Sequence, residues 1–567
     1  MDGESSARSE RGGAQDARSK RPRRQWVPRV TGRSRVYWWV GLAGILLVAT
    51  ALRLHGIHDP MLDHPGWRQG DTAAIARNFA RLQYDIMYPQ TMYDGPPPNY
   101  VELELQIVPF LAATLYKIFG VHEVFGRLIT VCFSLATVVT LACFGRWLFG
   151  SALAGLVAAF FFAIFPGSVY YGRTFMPDSA MVFFLTAALF AAARYLVDDK
   201  AMTIRGALGV TALLALAFLA KPVAVVALLP VLVMLGERAR TGGALRPAPI
   251  AAILLVPLTI LALYDWRIGS YAEWHWASGI TRLHVLPALR DALTSGSALA
   301  NKLVNFRVVL GLLRDRLLGG ISFVIAIVGL VALAWIPARS RSFLWAWLAA
   351  AAVYLFVVVT VERVDYYMLA LLPLAALLIG GLAARFAGAL QSAELADGPR
   401  YALLALVPIV AVVALIYSRA PVAAYYHYNK EAYRNAVALN HALARNALVV
   451  IGHYGPDVQY YIDRFGWEED PLLWTPFDEE SAIRKGARYF ISIEDRRLRR
   501  NLELCAWLQR FPVVAESGAW PVYVTDSTKV GLRAQAFWRA FRQAERAGAG
   551  RKFLDARGLC RLPVTDR

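Results

Sequence analysis

Charge is scarce in this sequence. Asp, Glu, Lys and Arg make up 18% of its 567 residues, against 57% hydrophobic residues. That balance belongs to a polytopic membrane protein with a modest soluble part, not to a soluble globular chain. Cysteine is scarce too. Cys132, Cys143, Cys505 and Cys560 have no metal-site spacing. The first two lie in an apolar run and read as packing residues. Cys505 and Cys560 can pair in an oxidising compartment, and the sequence leaves that open. No internal repeat stands out, and inverted repeats are a common mark of secondary transporters.

What charge there is has a pattern. The formal net charge is +19, which in a soluble protein would suggest nucleic acid. Here the basic residues collect in the N-terminal tail and in short segments between apolar runs, so they read as topology signals and membrane-surface charge, with no nucleic-acid partner. Residues 1–35 are rich in Arg, Ser and Gly and cannot bury a core; a disordered, basic, cytoplasmic tail is expected. The run 37–54 lacks a small-x-small cleavage site and reads as an uncleaved anchor.

Apolar runs recur at 37–54, 128–147, 151–171, 179–197, 206–220, 222–236, 249–265, 319–336, 343–361, 366–384 and 401–417, giving about eleven spans. Lys221–Pro222 separates the fifth from the sixth, because proline breaks a helix and lysine is costly in hydrocarbon. With the N-terminus cytoplasmic, the turns carrying Arg146, Arg194, Lys200, Arg205, Arg238, Arg339, Arg341 and Arg385 all fall inside. The run Leu105–Phe119 is short and interrupted by Gln106 and Pro109; it reads as an interfacial helix within a first external loop, 55–127. After residue 417 the composition changes. Strand-like runs at Leu448–Ile451 and Tyr489–Ile493, with "FPVVAE" and "WPVYVT", alternate with helix-like stretches. The expected architecture is a polytopic all-α membrane domain, 36–417, followed by a small α/β extracytoplasmic domain, 418–530, and a peripheral helix and tail, 531–567.

The outer face collects the ionisable residues that have no packing excuse. The first loop holds Arg68, Asp71, Arg77, Glu102 and Glu104. "YYGRTFMPDS" supplies Arg173 and Asp178, Lys221 ends the fifth span, and "VERVDYY" contributes Tyr366 and Tyr367. Charges at span ends are expensive unless paired or hydrated, so one shared hydrated cavity is the economical reading. Each has a plainer alternative. Asp71 could be a helix N-cap, and Arg173 and Asp178 a structural ion pair. Lys221 could snorkel, Glu104 could be an exposed loop carboxylate, and the tyrosines belt aromatics.

These motifs in this order resemble the GT-C membrane glycosyltransferases that use polyprenyl-phosphate sugars. Among them they resemble the bacterial relatives of protein O-mannosyltransferases and of lipid A aminoarabinose transferases. "RQGDTAAIARNF" is similar to that group's acidic first-loop motif. "VELELQIVPFLAATLYKIFG" resembles its juxtamembrane helix, with Leu105 and Gln106 in place of an aromatic and a proline. "YYGRTFMPDSAMVFF", "LAKP" and "VDYYMLALLP" resemble its later motifs. The resemblance implies a bacterial plasma-membrane enzyme moving a sugar, with inversion, from a polyprenyl-phosphate donor to a glycan, lipid or protein acceptor at the outer face. It makes Asp71 the catalytic base, and Arg68, Arg173 and Lys221 the cations for the lipid phosphate. Asp178 and Glu104 would bind sugar hydroxyls or orient those cations, with Tyr366 and Tyr367 beside them. Helix 105–119 would be a wall of the prenyl groove. The carboxylates are too dispersed to argue for or against a divalent cation. An O-antigen polymerase or ligase remains a rival, on the strength of the loop Trp266–Arg316 with His275, Arg282, His284 and Arg290. So do a transporter or flippase, and a non-catalytic scaffold.

Overall fold

The computed structural model describes residues 32–199, 201–393, 396–514, 520–526, 528 and 530–561. Most of the expected basic tail and the last residues of the expected C-terminal tail lie outside the described residues.

All eleven apolar runs are helical. Among the described residues, eight helices are long and apolar enough to cross a membrane. A ninth qualifies if Gly296–Leu318 and Gly320–Ala334, bent by 113°, count as one span. Proline explains two of the three runs that fall short. Ala152–Ile164 stops where Phe165 precedes Pro166, and Ile204–Ala220 stops at Lys221 before Pro222. The residue before a proline is pushed out of the helical region, and the Lys221 backbone is extended at φ −166°.

Four helices frame the N-terminal part: α1 (Gly32–Leu54), α2 (Gly66–Arg81), α3 (Ile107–Phe119) and α4 (Glu123–Phe149). Against α4 lies Ala152–Ile164, at a spacing only glycine permits: a Cβ on Gly155 would stand 2.2 Å from the Ala142 carbonyl oxygen. Arg53, wholly buried at the end of α1, staples three helices. Its guanidinium donates to Ser134 Oγ at 2.7 Å, Ser168 Oγ at 2.7 Å and the Ala163 carbonyl at 3.0 Å. α3 packs on α2 and α4 and leaves Leu111, Ile118 and Phe119 exposed.

The C-terminal domain is built on a sheet of β3 (Leu448–Gly452), β4 (Gly466–Glu468), β5 (Ala487–Ser492), β6 (Val513–Val514) and β7 (Val522–Val524), in the order β4-β3-β5-β7-β6. β3 runs parallel to β4 and β5; β7 is antiparallel to β5 and β6. β1 (Val101–Glu102) and β2 (Trp274–His275) form a separate parallel pair. Alternation along β3 and β5 sorts two cores. Val449, Ile451 and Ile491 face a cluster that includes Ala73, Ala76 and Val108 of the first loop, whereas Val450 and Phe490 face Trp507 and Phe541. One sheet face is therefore seated on the first loop. Cys505 and Cys560, which the sequence left open, are joined by a disulfide that ties the segment after the last helix, Gly550–Asp555, to Leu502–Leu508.

Arg77 belongs to this seam, away from the cavity. It pairs with Asp463 at 3.1 Å and lies over the Tyr460 ring at 4.1 Å. Gly70 belongs there too: a Cβ would meet the Asp457 Cα at 2.4 Å, backbone that cannot swing aside. Gly70→Ala is expected to destabilise the protein by about 1–3 kcal/mol through overpacking, read as a lowered melting temperature. Gly44→Ala, with nothing within 4 Å, is the control; equal melting temperatures for the two would contradict this packing.

Candidate active site

Where the first loop meets the membrane domain lies a cavity of about 710 Å³. Its lining changes character along its length. One end is polar, with Arg68, Asp71, Glu104 and Lys221; the rest is an apolar channel between Pro222–Leu232 and the 350–358 stretch. Helix α3 is not part of the lining, so the expected wall at 105–119 is replaced by these two segments. The reason is packing: α3 turns Val108, Ala112 and Tyr116 inward against the first-loop core.

Arg68 and Asp71 are three apart on α2 and so share a face. Arg68 Nη1 lies 3.1 Å from Asp71 Oδ2, and Nη2 bonds Glu104 Oε1. Tyr93 donates its hydroxyl to Asp71 Oδ1 at 3.3 Å. Asp71 is not an N-cap, because α2 already begins at Gly66 and the carboxylate accepts from the Arg68 and Tyr93 side chains rather than from backbone N–H groups. Glu104 is 7% exposed, which removes the loop-carboxylate alternative. Burial pushes the Asp71 carboxyl up to about 6, with Arg68 opposing and Glu104 adding to the shift. Beyond Asp71 the surroundings turn acidic. Burial pushes Asp94 up to about 7, with Glu469, Glu273 and Asp71 adding to it. It pushes Glu468 well above the usual carboxylate range.

Lys221 owes its position to the broken helix. Its Nζ lies 2.6 Å from Asp178 Oδ1, and 5.1 and 4.9 Å from the ring centroids of Tyr366 and Tyr367. Its side chain is 13% exposed, so it does not snorkel freely. Asp178 is fully buried behind it. Asp71 and Asp178 thus flank the same end of one cavity, the second through Lys221.

Arg173 is the exception among the sequence-derived candidates. It is absent from the cavity lining and does not pair with Asp178. It and Arg127 both bind Asp63, and both donate to the Gly56 carbonyl at 2.8 Å. All three side chains are wholly buried. A carboxylate just past the first span, in "DPMLDHPGW", outcompetes Asp178 because Arg173 precedes the turn while Asp178 opens the following helix.

Sequence reasoning also missed a polar network beside the cavity. Asp365 accepts from Tyr171 Oη at 2.7 Å and from Tyr425 Oη, and His64 Nε2 lies 3.7 Å away. The adjacency of Asp365 to the tyrosine pair was the available signal. The rival loop's arginines, Arg282 and Arg290, do not line the cavity; His284 pairs with Glu362 at 2.8 Å and His275 with Glu102 at 3.1 Å. Among the described residues no group of three or more His, Cys, Asp or Glu is placed to hold a metal ion.

Residues 106–266 match the dolichyl-phosphate-mannose-protein mannosyltransferase family. No curated protein matches the chain. Solved structures that share its architecture at a TM-score of 0.56 include two with a bound lipid phosphate. ArnT from Cupriavidus metallidurans bound to undecaprenyl phosphate is 15% identical, over 87% of this chain and 99% of that one. The oligosaccharyltransferase AglB from Archaeoglobus fulgidus, in complex with an inhibitory peptide and a dolichol-phosphate, is 14% identical, over 88% and 76%. The fold is that of the GT-C membrane glycosyltransferases, and the chain is a multi-pass membrane protein.

Proposed function

We propose that this protein is an inverting glycosyltransferase of the bacterial plasma membrane. It takes a sugar from a polyprenyl phosphate and passes it to a glycan, lipid or protein acceptor at the extracytoplasmic face. One observation carries the reading: a single cavity joins paired cations and carboxylates to an apolar channel. A prenyl chain fits the channel, and its phosphate then reaches Arg68 and Lys221. The relatives bound to undecaprenyl phosphate and dolichol-phosphate support the same ligand chemistry. The Cys505–Cys560 disulfide supports an oxidising compartment for the C-terminal domain.

The chemistry follows from the charges. At the polar end two cations face three carboxylates: Arg68 holds Asp71 and Glu104, and Lys221 holds Asp178. An arriving phosphate competes for Arg68 and loosens its grip on Asp71. The acceptor's oxygen or nitrogen attacks the anomeric carbon from the side opposite the phosphate. As that bond forms, the bond from the anomeric carbon to the phosphate oxygen breaks. The electron pair leaves with the polyprenyl phosphate, whose growing charge Arg68 and Lys221 stabilise. The acceptor's proton passes to Asp71.

A base must be ionised to act. Asp71, held at about 6, is charged above that pH and protonated below it. Transfer is therefore expected to fall about tenfold per pH unit below roughly 6, checked by a pH–rate profile. A profile flat down to pH 4 would remove Asp71 as the base. In cells, deletion is expected to remove one sugar from an envelope glycan, lipid or protein, read by mass spectrometry. An unchanged glycan profile with altered solute uptake would favour a transporter.

A further inference from the structure

Two tryptophans stand at the polar end of the cavity, and the reaction scheme above uses neither. Trp67 immediately precedes Arg68 on α2; Trp276 immediately follows β2. Both line the cavity. Their ring centroids are 6.0 Å apart at an interplanar angle of 73°, so the rings form two walls of a corner rather than a stack.

The placement of Trp276 is built rather than incidental. β2 pairs in register with β1, Trp274 opposite Val101 and His275 opposite Glu102. Glu102 then fixes residues on either side of the tryptophan in sequence, accepting from Ser278 Oγ at 2.7 Å and meeting His275 Nδ1 at 3.1 Å. The indole packs against the cluster of Val101 and Leu103. That ladder carries the ring to the segment that also presents Glu104. The indole Nε1 is sealed within the protein, so the surface this tryptophan offers the cavity does not include its donor.

Resting on the reading of this cavity as the donor site, we infer that Trp67 and Trp276 form the subsite for the sugar ring of the donor lipid. The C–H face of a pyranose or furanose packs on one of these aromatic walls. Next to the Arg68–Asp71–Glu104 group, the corner holds the sugar between phosphate and base. It serves sugar and not lipid, because the prenyl channel runs along Pro222–Leu232 and the 350–358 stretch instead.

The test compares binding of two probes to the full-length protein in nanodiscs: undecaprenyl phosphate, and undecaprenyl phosphate carrying mannose. Trp276→Leu keeps an apolar side chain in the packing and removes the aromatic wall. It is expected to weaken the mannosyl lipid about tenfold, through the lost stacking surface, and to leave undecaprenyl phosphate unchanged. Trp67→Leu is expected to show the same selectivity. Equal loss for both probes would make the tryptophans part of the lipid channel and overturn the inference. Unchanged binding of both probes, with a raised KM for the acceptor, would assign the corner to the acceptor and overturn it too. A wild-type protein that binds neither probe would sink the transferase reading first and this inference with it.

Discussion

Asp71→Asn is expected to lower the rate of sugar transfer by about 10²–10⁴-fold, the contribution of a positioned general base, without weakening the donor lipid. The amide keeps the volume of the carboxylate, and its oxygen can still accept from Tyr93 Oη, 3.3 Å away in the wild type. The charge is what goes. Arg68 now faces two carboxylates, Asp71 and Glu104; in the variant it faces one. A phosphate then meets a less satisfied guanidinium, so undecaprenyl phosphate is expected to bind as well as before or more tightly. That opposite movement of turnover and affinity separates a base from a lipid-binding residue. Isothermal titration with the lipid, alongside a single-turnover assay, reads both. Retained turnover, or parallel loss of binding and turnover, would contradict the assignment.

Lys221→Met is expected to do two kinds of damage. Transfer falls by about 10²–10³-fold, because a fixed cation is lost where phosphate charge grows. Stability falls by about 3–5 kcal/mol, because a buried carboxylate loses its partner. Asp178 is 0% exposed and Lys221 supplies its 2.6 Å contact. The double variant Lys221→Met/Asp178→Asn removes both charges and is expected to recover most of the melting temperature and none of the transfer. A double variant that regains transfer would reduce Lys221 to a structural partner of Asp178.

Much of the membrane domain was legible because hydropathy and proline act locally. The break at Lys221–Pro222 followed from backbone sterics, and it is what presents the lysine to the cavity. The gathering of Arg68, Asp71, Glu104, Lys221, Tyr366 and Tyr367 followed from the cost of charge at a membrane face. Partner choice did not follow from it. Arg173 and Asp178 are five residues apart and invited pairing. Pairing depends on where the turn points, and the winner for Arg173 is Asp63, which is 110 residues away. The strand β4 was missed because three residues, opening on a glycine, carry no alternation to read. Trp276 was invisible for a related reason. A two-residue parallel ladder, β1 with β2, brings it to the site across the first loop and several helices, and no local pattern announces so short a pairing.

In the proposed site a lipid phosphate sits between Arg68 and Lys221 with its chain along the apolar channel. A cryo-electron microscopy structure of the full-length protein in nanodiscs with undecaprenyl phosphate tests it most directly. The expected result is phosphate density within hydrogen-bonding reach of both cations and continuous chain density between Pro222–Leu232 and the 350–358 stretch. Lipid bound elsewhere, with the Arg68–Asp71 and Lys221–Asp178 pairs intact around an empty cavity, would contradict it.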